Sequence, residues 1–474
     1  MAVLDFVGRT RELGLLDGVL DSVRGRIGSR APGKCVMMRG RRRVGKSALV
    51  EEYRQRVQLP SVYFNATNVN SELELSNFIE AVAASDLPDR EFFLSTQPSH
   101  WGAALGQLAE ILPEDGPSLV VIDEVPYLMD NVPSFEGILQ GAWDRQLSRK
   151  PVLLLLVGSD LSMMEALNSY ERPFHQRGTE MVLGPMSPAE VGEMLDLEPA
   201  DAFDAALVTG GLPLICADWS LGTGLWDFLG RSLENPISAL VVSGRLALAA
   251  EFPDRAMASQ VLRAIGSGER TFTNIARAGG GLNHATLNKA LELLVHKGIV
   301  TASLPMSLQP SKDRRYTISD PYLRFWLALV EPHMDEIERR RGDLVVERIR
   351  NSWTSWRGRA IEPLLRESLA RILPIGSIPY ARYIGGYWTR SNSVEIDIVG
   401  AEEAPIAREP LFVGSIKWLD NDRFDRRDLA ALKNHRVALT DEDIPLIGVS
   451  RSGFDCQGLD GQFGPEDLIK GWQR

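Results

Sequence analysis

The eight residues Gly40-Arg41-Arg42-Arg43-Val44-Gly45-Lys46-Ser47 constrain the fold of this chain more than any other stretch. They fit G-x-x-x-x-G-K-[ST], in which glycine is needed where the backbone turns tightly around a phosphate and successive amides point inward at it. Lys46 offers a point charge to the β- and γ-phosphates, and the Ser47 hydroxyl suits a magnesium ion. The apolar run 34–39 before the loop reads as a buried strand. The pattern from Ser47 through Ala48 to Val57 reads as a helix whose positive N-terminus faces the anion. The alternatives are a chance Gly-rich turn and a site that binds nucleotide without hydrolysing it.

A second acidic element sharpens the reading. Leu119-Val120-Val121-Ile122 is a buried-strand run that ends in Asp123-Glu124. Asp123 is placed to hold magnesium through water, and Glu124 to polarise the attacking water as general base. The competing role for such a pair is a helix cap or a solvated turn. The next run, 152–158, delivers Ser159-Asp160 at the carboxyl end of a strand, where ligands gather in open parallel sheets. Ser159 is the sensor candidate, and Asp160 is equally suited to capping the helix that follows. Apolar runs at 34–39, 61–65, 118–122, 152–158 and 180–183 alternate with helical patterns, which predicts an α/β fold with a parallel sheet covered by helices.

With these elements the first half resembles the AAA+ class of P-loop ATPases, in the archaeal-type branch related to signal-transduction ATPases and origin-binding proteins. The matching residues are Phe6-Val7-Gly8-Arg9, the arginine-rich P-loop, Ile122-Asp123-Glu124, Gly158-Ser159 and Gly210-Gly211-Leu212-Pro213. The resemblance implies a helical lid after the sheet, and ATP and Mg2+ as ligands. It also implies that Val7, Gly8 and Arg9 approach the adenine, that Asn65 couples the general base to partner contacts, and that Pro213 lines the pocket. Arg177 is the nearest match to an arginine that serves the nucleotide after the sensor strand; the plain alternative is a surface residue. An arginine finger can come from a neighbouring subunit, so a homo-oligomer or another protein partner is left open.

Length and charge bound the rest. A chain of 474 residues suggests about three domains, with boundaries expected at 1–250 for the ATPase and its lid, 251–330, and 331–474. A net charge of -11 argues against a generally basic surface, so a nucleic-acid contact has to come from a local patch. Cys35, Cys216 and Cys456 are too far apart for the usual zinc or redox motifs and fit a reducing cytoplasm. The first residues, MAVLDFVGRTREL, lack the pattern of a secretory leader, and no apolar run is long enough to cross a bilayer, so no membrane contact is expected.

From Ala258 to Ile318 the pattern is helix, turn, helix, then two short strands around a polar loop, the outline of a winged helix. In its third helix, 283–297, Leu287, Ala290, Leu291, Leu294 and Val295 recur at helical spacing and are expected in the core. Thr286, Asn288 and Lys289 are then left for solvent or a DNA groove, and Lys312, Arg314 and Arg315 of the wing suit phosphate contacts. A packing or regulatory module is the other reading. Further on, Val394-Glu395-Ile396-Asp397-Ile398-Val399 alternates, so Glu395 and Asp397 share a strand face, and Ser415 and Lys417 share one on the next strand.

This last layout is similar to the core of the PD-(D/E)xK nuclease superfamily, in the form found at the C-terminus of archaeal ATPases. The resemblance implies a metal site in which Asp397 and Lys417 match and Glu362 is the helix-borne acid. Ser415 stands where a carboxylate is expected, and a neutral hydroxyl is a poor ligand for a hard cation. Glu395 is the candidate substitute. The expectation for the whole chain is an ATP-hydrolysing switch or motor acting on DNA, against two rivals: a nucleotide-regulated signalling scaffold that recruits a protein, and an active metal-dependent nuclease.

Overall fold

The computed structural model describes residues 6–251 and 256–473. The chain falls into two compact units, one ending at Pro185 and the other beginning at Met186. The segment after 186, the winged-helix outline and the C-terminal third all lie in the second unit.

Five strands form the sheet of the first unit: β1 (Lys34–Arg39), β2 (Ser61–Asn65), β3 (Ser118–Asp123), β4 (Val152–Gly158) and β5 (Thr179–Val182). Their order is β2-β3-β4-β1-β5 and every pairing is parallel, the arrangement expected of an AAA+ core. β3 and β4 are buried along their whole length, which requires cover on both faces and explains their unbroken Leu, Val and Ile content. β4 lies between β1 and β3, and Arg39 stands opposite Gly158 while Asn65 stands opposite Asp123. That register gathers the carboxyl ends of β1, β2, β3 and β4 on one edge, where the P-loop, the acidic pair and Ser159 leave the sheet.

In the second unit, helices Ala256–Gly266, Phe272–Ala278 and His284–His296 precede the antiparallel pair β6 (Val300–Ser303) and β7 (Arg315–Ile318). Asn283 caps the third helix, its side chain accepting from the Thr286 amide. Leu287, Ala290, Leu291 and Leu294 are buried as expected, but Val295 is 39% exposed. A rotation of about 100° past Leu294 carries it off the buried stripe. The expected helix at 322–330 starts at Pro321, capped by Asp320, and widens into a π-helical turn over Trp326–Val330.

The C-terminal sheet runs Gly461–Phe463, Leu446–Ser450, β10 (Pro410–Lys417), β9 (Glu395–Ala401), β8 (Tyr383–Trp388). β8, β9 and β10 pair antiparallel, and β10 pairs parallel with Leu446–Ser450. Helices Glu362–Ile372 and Arg426–Leu439 accompany it; Leu365 and Leu369 of the first help build one apolar core, and Leu429 and Leu432 of the second another.

A buried ionic cluster ties the early helices of this unit to that sheet. Arg357, 1% exposed, reaches Asp204 at 2.7 Å and Asp420 at 2.9 Å. Arg451 joins from beyond the sheet, 3.4 Å from Asp204 and 2.6 Å from Asp420. Removing one partner of a buried pair strands the other's charge, which costs several kcal/mol. Arg357→Ala is therefore expected to destabilise the second unit by about 3 kcal/mol, the low end of the range because Arg451 remains near Asp204. Urea unfolding followed by tryptophan fluorescence measures it, and Arg341→Ala at an exposed pair should leave the midpoint where it is.

Candidate functional site

The P-loop geometry follows from its two glycines. A Cβ on Gly40 would meet the Leu183 carbonyl oxygen at 2.4 Å, and Gly45 has φ 91°, a conformation that favours glycine. The helix Lys46–Val57 starts at the next residue. Lys46 is buried, and its ammonium donates to the carbonyls of Gly40 at 2.8 Å and Arg41 at 3.2 Å. Burial pulls its pKa below the ordinary value, against the opposing pull of Glu124 and Asp123. Ser47 and Ala48 open the helix on its exposed side, Val44 is buried beneath the loop, and Arg42 donates to the Tyr127 hydroxyl at 3.1 Å while Arg43 is exposed.

Asp123 is the hub. Its Oδ2 accepts from the Ser47 hydroxyl at 2.6 Å and from the Tyr63 hydroxyl at 2.5 Å, and its Oδ1 accepts from the Glu124 amide at 2.9 Å. Tyr63 was not foreseen. Its only signal is an aromatic hydroxyl two residues before the end of the strand beside β3, and burial followed by Asp123 pushes its pKa up. Glu124 precedes the helix Val125–Asn131 but makes no capping bond with its side chain, so its carboxylate is not spent on the plain structural role. Instead its Oε2 accepts from the Ser159 hydroxyl at 2.8 Å and the Ser159 amide at 3.3 Å. Among the described residues nothing donates to Oε1. Asp160 is the helix cap, accepting from the Met163 amide at 2.9 Å.

The other expected contributors are more scattered. Arg9 is buried and donates to the carbonyls of Val44 and Gly184, both at 2.9 Å, so it braces the P-loop backbone; Val7 and Gly8 precede it, half-buried. Asn65 ends β2 exposed, and it is Ser159 rather than Asn65 that reaches Glu124. Arg177 grips Asp144 with two bonds of 2.8 and 2.9 Å and spends its remaining terminal nitrogen on the carbonyls of Pro173 and His175. Among the described residues it has no hydrogen bond or ion pair with a P-loop side chain. Pro213 begins the short helix Pro213–Cys216 of the second unit.

The residues fit a nucleotide with magnesium. The loop amides and Lys46 suit phosphate, and a hydroxyl 2.6 Å from a carboxylate supplies the hard oxygen donors that magnesium takes. The second unit contains the matched part of a known family: DUF234, described as "Archaea bacterial proteins of unknown function", matches residues 326–429. No curated protein sequence matches the chain. Among solved structures, a Walker-type ATPase of Pyrococcus abyssi is similar at 19% identity and a TM-score of 0.46, over 68% of this chain and 96% of that one. The ORC2 protein of Aeropyrum pernix, in ADPNP–ADP complexes, is similar at 16% identity and a TM-score of 0.46, over 73% and 97%. The ORC1 protein of the same organism, in complex with DNA, follows at 16% identity and a TM-score of 0.33, over 70% and 95%.

In the winged helix, Asn288 and Lys289 are exposed and Thr286 half-buried, while Lys312 and Arg314 of the wing are exposed. Arg315 is not open. It pairs with Glu395 at 2.5 Å, donates to the Asn392 side chain at 2.8 Å and lies 4.3 Å over the Trp388 ring. Trp388 in turn donates to the Asp313 carbonyl at 2.9 Å, which docks the wing on the C-terminal sheet. One ion pair thus occupies both a wing cation and the carboxylate proposed to stand in for Ser415.

Around β9 and β10, Asp397 Oδ2 accepts from the Ser415 hydroxyl at 2.9 Å and the Ile416 amide at 2.8 Å. Burial, then Glu362, pushes the Asp397 carboxyl up to about 6. Glu362 accepts from Arg366 at 2.7 Å. Lys417 turns to Asp428 at 2.8 Å and Asp422 at 3.1 Å; burial lowers its pKa, but those two carboxylates win and hold it up. Among the described residues no group of three or more His, Cys, Asp or Glu side chains could hold a metal ion, and no described helix is long and apolar enough to cross a membrane.

The Ser159–Glu124 bond yields a test. Ser159→Ala removes a hydroxyl that orients Glu124 without touching the P-loop. Loss of a hydrogen bond to a charged group corresponds to about 1.5–3 kcal/mol, so single-turnover ATP hydrolysis is expected to slow by about 10- to 100-fold. Binding of a fluorescent ATP analogue should be unchanged.

Proposed function

We propose that the chain binds ATP with magnesium and hydrolyses it, and that this cycle switches a second unit which binds nucleic acid. The observation that carries the hydrolytic part is the Glu124 carboxylate: it is held at Oε2 by Ser159 and clear at Oε1, one residue from the Asp123–Ser47 pair. A binding-only site has no need to orient that group.

In this reading the loop amides and Lys46 hold the β- and γ-phosphates, and Lys46 leaves the Gly40 and Arg41 carbonyls to do so. Ser47 and Asp123 hold magnesium, which when bound offsets phosphate charge. Tyr63 keeps the Asp123 carboxylate turned toward Ser47. Glu124 Oε1 takes a proton from water as the water oxygen bonds to the γ-phosphorus and the bond to the bridging oxygen of ADP breaks. Arg177 enters only by leaving Asp144, whether toward its own nucleotide or that of a second copy.

For the C-terminal domain we propose binding rather than cleavage. Asp397 is satisfied by Ser415 and Ile416, Glu395 by Arg315, and Lys417 by two aspartates, so these residues of the nuclease-like pattern already have partners, most of them outside the pattern. The docked wing favours a second reading in which the winged helix only packs, with a protein as the recruited partner.

Two variants separate binding from chemistry. Lys46→Ala is expected to lose ATP affinity and turnover together, whereas Glu124→Gln keeps ATP binding and loses turnover by about 100-fold or more, the usual range for a general base. Isothermal titration with ATP and a phosphate-release assay on both variants decide it. Wild-type turnover no faster than buffer refutes the hydrolase reading.

A further inference from the structure

Arg315 of the wing and Arg366 of the helix Glu362–Ile372 both reach β9, at the Glu395 carboxylate and the Asp397 carbonyl, and Arg324 of the helix Pro321–Phe325 reaches the end of the helix Gly342–Ala360 that carries Arg359. Arg270 interacts electrostatically with Glu362, Arg359, Arg315 and Glu395. Arg324 interacts with Arg270, Glu362, Arg359 and Arg366. Five guanidinium groups therefore share one region with three carboxylates, those of Glu362, Glu395 and Asp397, and Asp397 is held by Ser415 and the Ile416 amide. Both glutamates are already taken, Glu395 by Arg315 at 2.5 Å and Glu362 by Arg366 at 2.7 Å.

Three arginines are left over. Arg324 donates to the carbonyls of Arg359 at 3.1 Å and Ala360 at 3.5 Å, which engages two of its N–H groups but does not balance its charge. Arg270 is half-buried and Arg359 exposed, and among the described residues neither guanidinium has a hydrogen-bond acceptor or an ion pair. Burial and then Arg270 bring Arg324 down to about 10. Collecting like charges in a partly buried place is unfavourable unless an anion completes it. Guanidinium groups suit phosphate because their planar fork matches its oxygens.

We infer that Arg270, Arg324 and Arg359 form a phosphate-binding cleft for the backbone of a nucleic acid strand. A nucleic acid is favoured over an isolated phosphate group because further exposed cations, Lys312 and Arg314, precede Arg315 in sequence on the wing. On a chain of net charge -11, such a patch is the local concentration that nucleic-acid contact requires. This rests on the nucleic-acid part of the proposed function, and assigns it residues that the winged-helix pattern alone does not.

The test is fluorescence anisotropy on the full chain with a labelled DNA duplex, a labelled single strand and a doubly phosphorylated peptide, each across a salt series. The double variant Arg270→Gln/Arg359→Gln removes no side-chain hydrogen bond among the described residues, and circular dichroism with the ATP turnover rate checks that it is folded. We expect DNA affinity to fall about tenfold near physiological salt and the slope of log affinity against log salt to shrink by about 2, roughly 1 for each phosphate that is no longer neutralised. A wild type that binds neither nucleic acid overturns the cleft along with the nucleic-acid reading. If the wild type binds DNA and the variant matches it in affinity and slope, the cleft is wrong and the broader reading stands. Arginine-dependent binding of the peptide alone would overturn the cleft in favour of a phosphorylated protein.

Discussion

The Asp123 carboxylate is the point on which the candidate site depends. It receives hydrogen bonds from Ser47 on the helix after β1, Tyr63 on β2 and the amide of Glu124 after β3. Three elements far apart in sequence are thereby referred to one pair of oxygens. The strand order makes this geometry available, because β4 sits between β1 and β3 and brings Ser159 out beside the acids. A buried carboxylate needs its lone pairs satisfied, and here one of the donors that satisfy it, Ser47, is also a group the proposed chemistry would use. The division of labour between the two acids follows. Asp123, almost fully buried, holds; Glu124, in a left-handed conformation with φ 54°, projects its carboxylate away from its own helix to Ser159.

What was legible in the sequence was whatever the chemistry demands locally. A phosphate loop has to place glycine at the tight positions and lysine and a hydroxyl at the helix start, so Gly40, Gly45, Lys46 and Ser47 are readable from eight residues. The strands were readable to within a residue or so because central parallel strands are apolar without interruption. The partners of Tyr63 and Arg177 were not, for one shared reason. The Tyr63 contact with Asp123 spans 60 residues, and the grip of Arg177 on Asp144 spans 33. Nothing local encodes either partner. Val295 shows the limit of periodicity itself: spacing puts a residue near a stripe, and only packing decides where the stripe ends.

The second unit makes the contrast sharper. Its functional residues are paired across long distances in sequence: Arg315 with Glu395, 80 residues on, and Arg357 with Asp204, 153 residues back. Sequence patterns suggest Arg315 for phosphate and Glu395 for a metal, each from the residue alone; the structure pairs the two with each other. The arginines that remain uncompensated, Arg270 and Arg359, belong to no motif. They matter because of what their neighbours have already been used for, a property visible only when every pairing in the region is known.

Ser415 can be understood in the same terms. Two carboxylates brought together on neighbouring strands repel unless a cation lies between them or one holds a proton. With serine in the second place there is no such demand: the hydroxyl donates to Asp397 at 2.9 Å and the Ile416 amide adds a second donor at 2.8 Å, so the site closes without an ion. The Asp397 carboxyl, raised to about 6 by burial and Glu362, keeps a proton more readily than an ordinary aspartate. Lys417 pairs instead with Asp422 and Asp428. Ser415 thus belongs to a pair of strands on which Asp397 and Lys417 are each satisfied by neighbouring groups, while among the described residues the charge on Arg270, Arg324 and Arg359 is left without a carboxylate of its own.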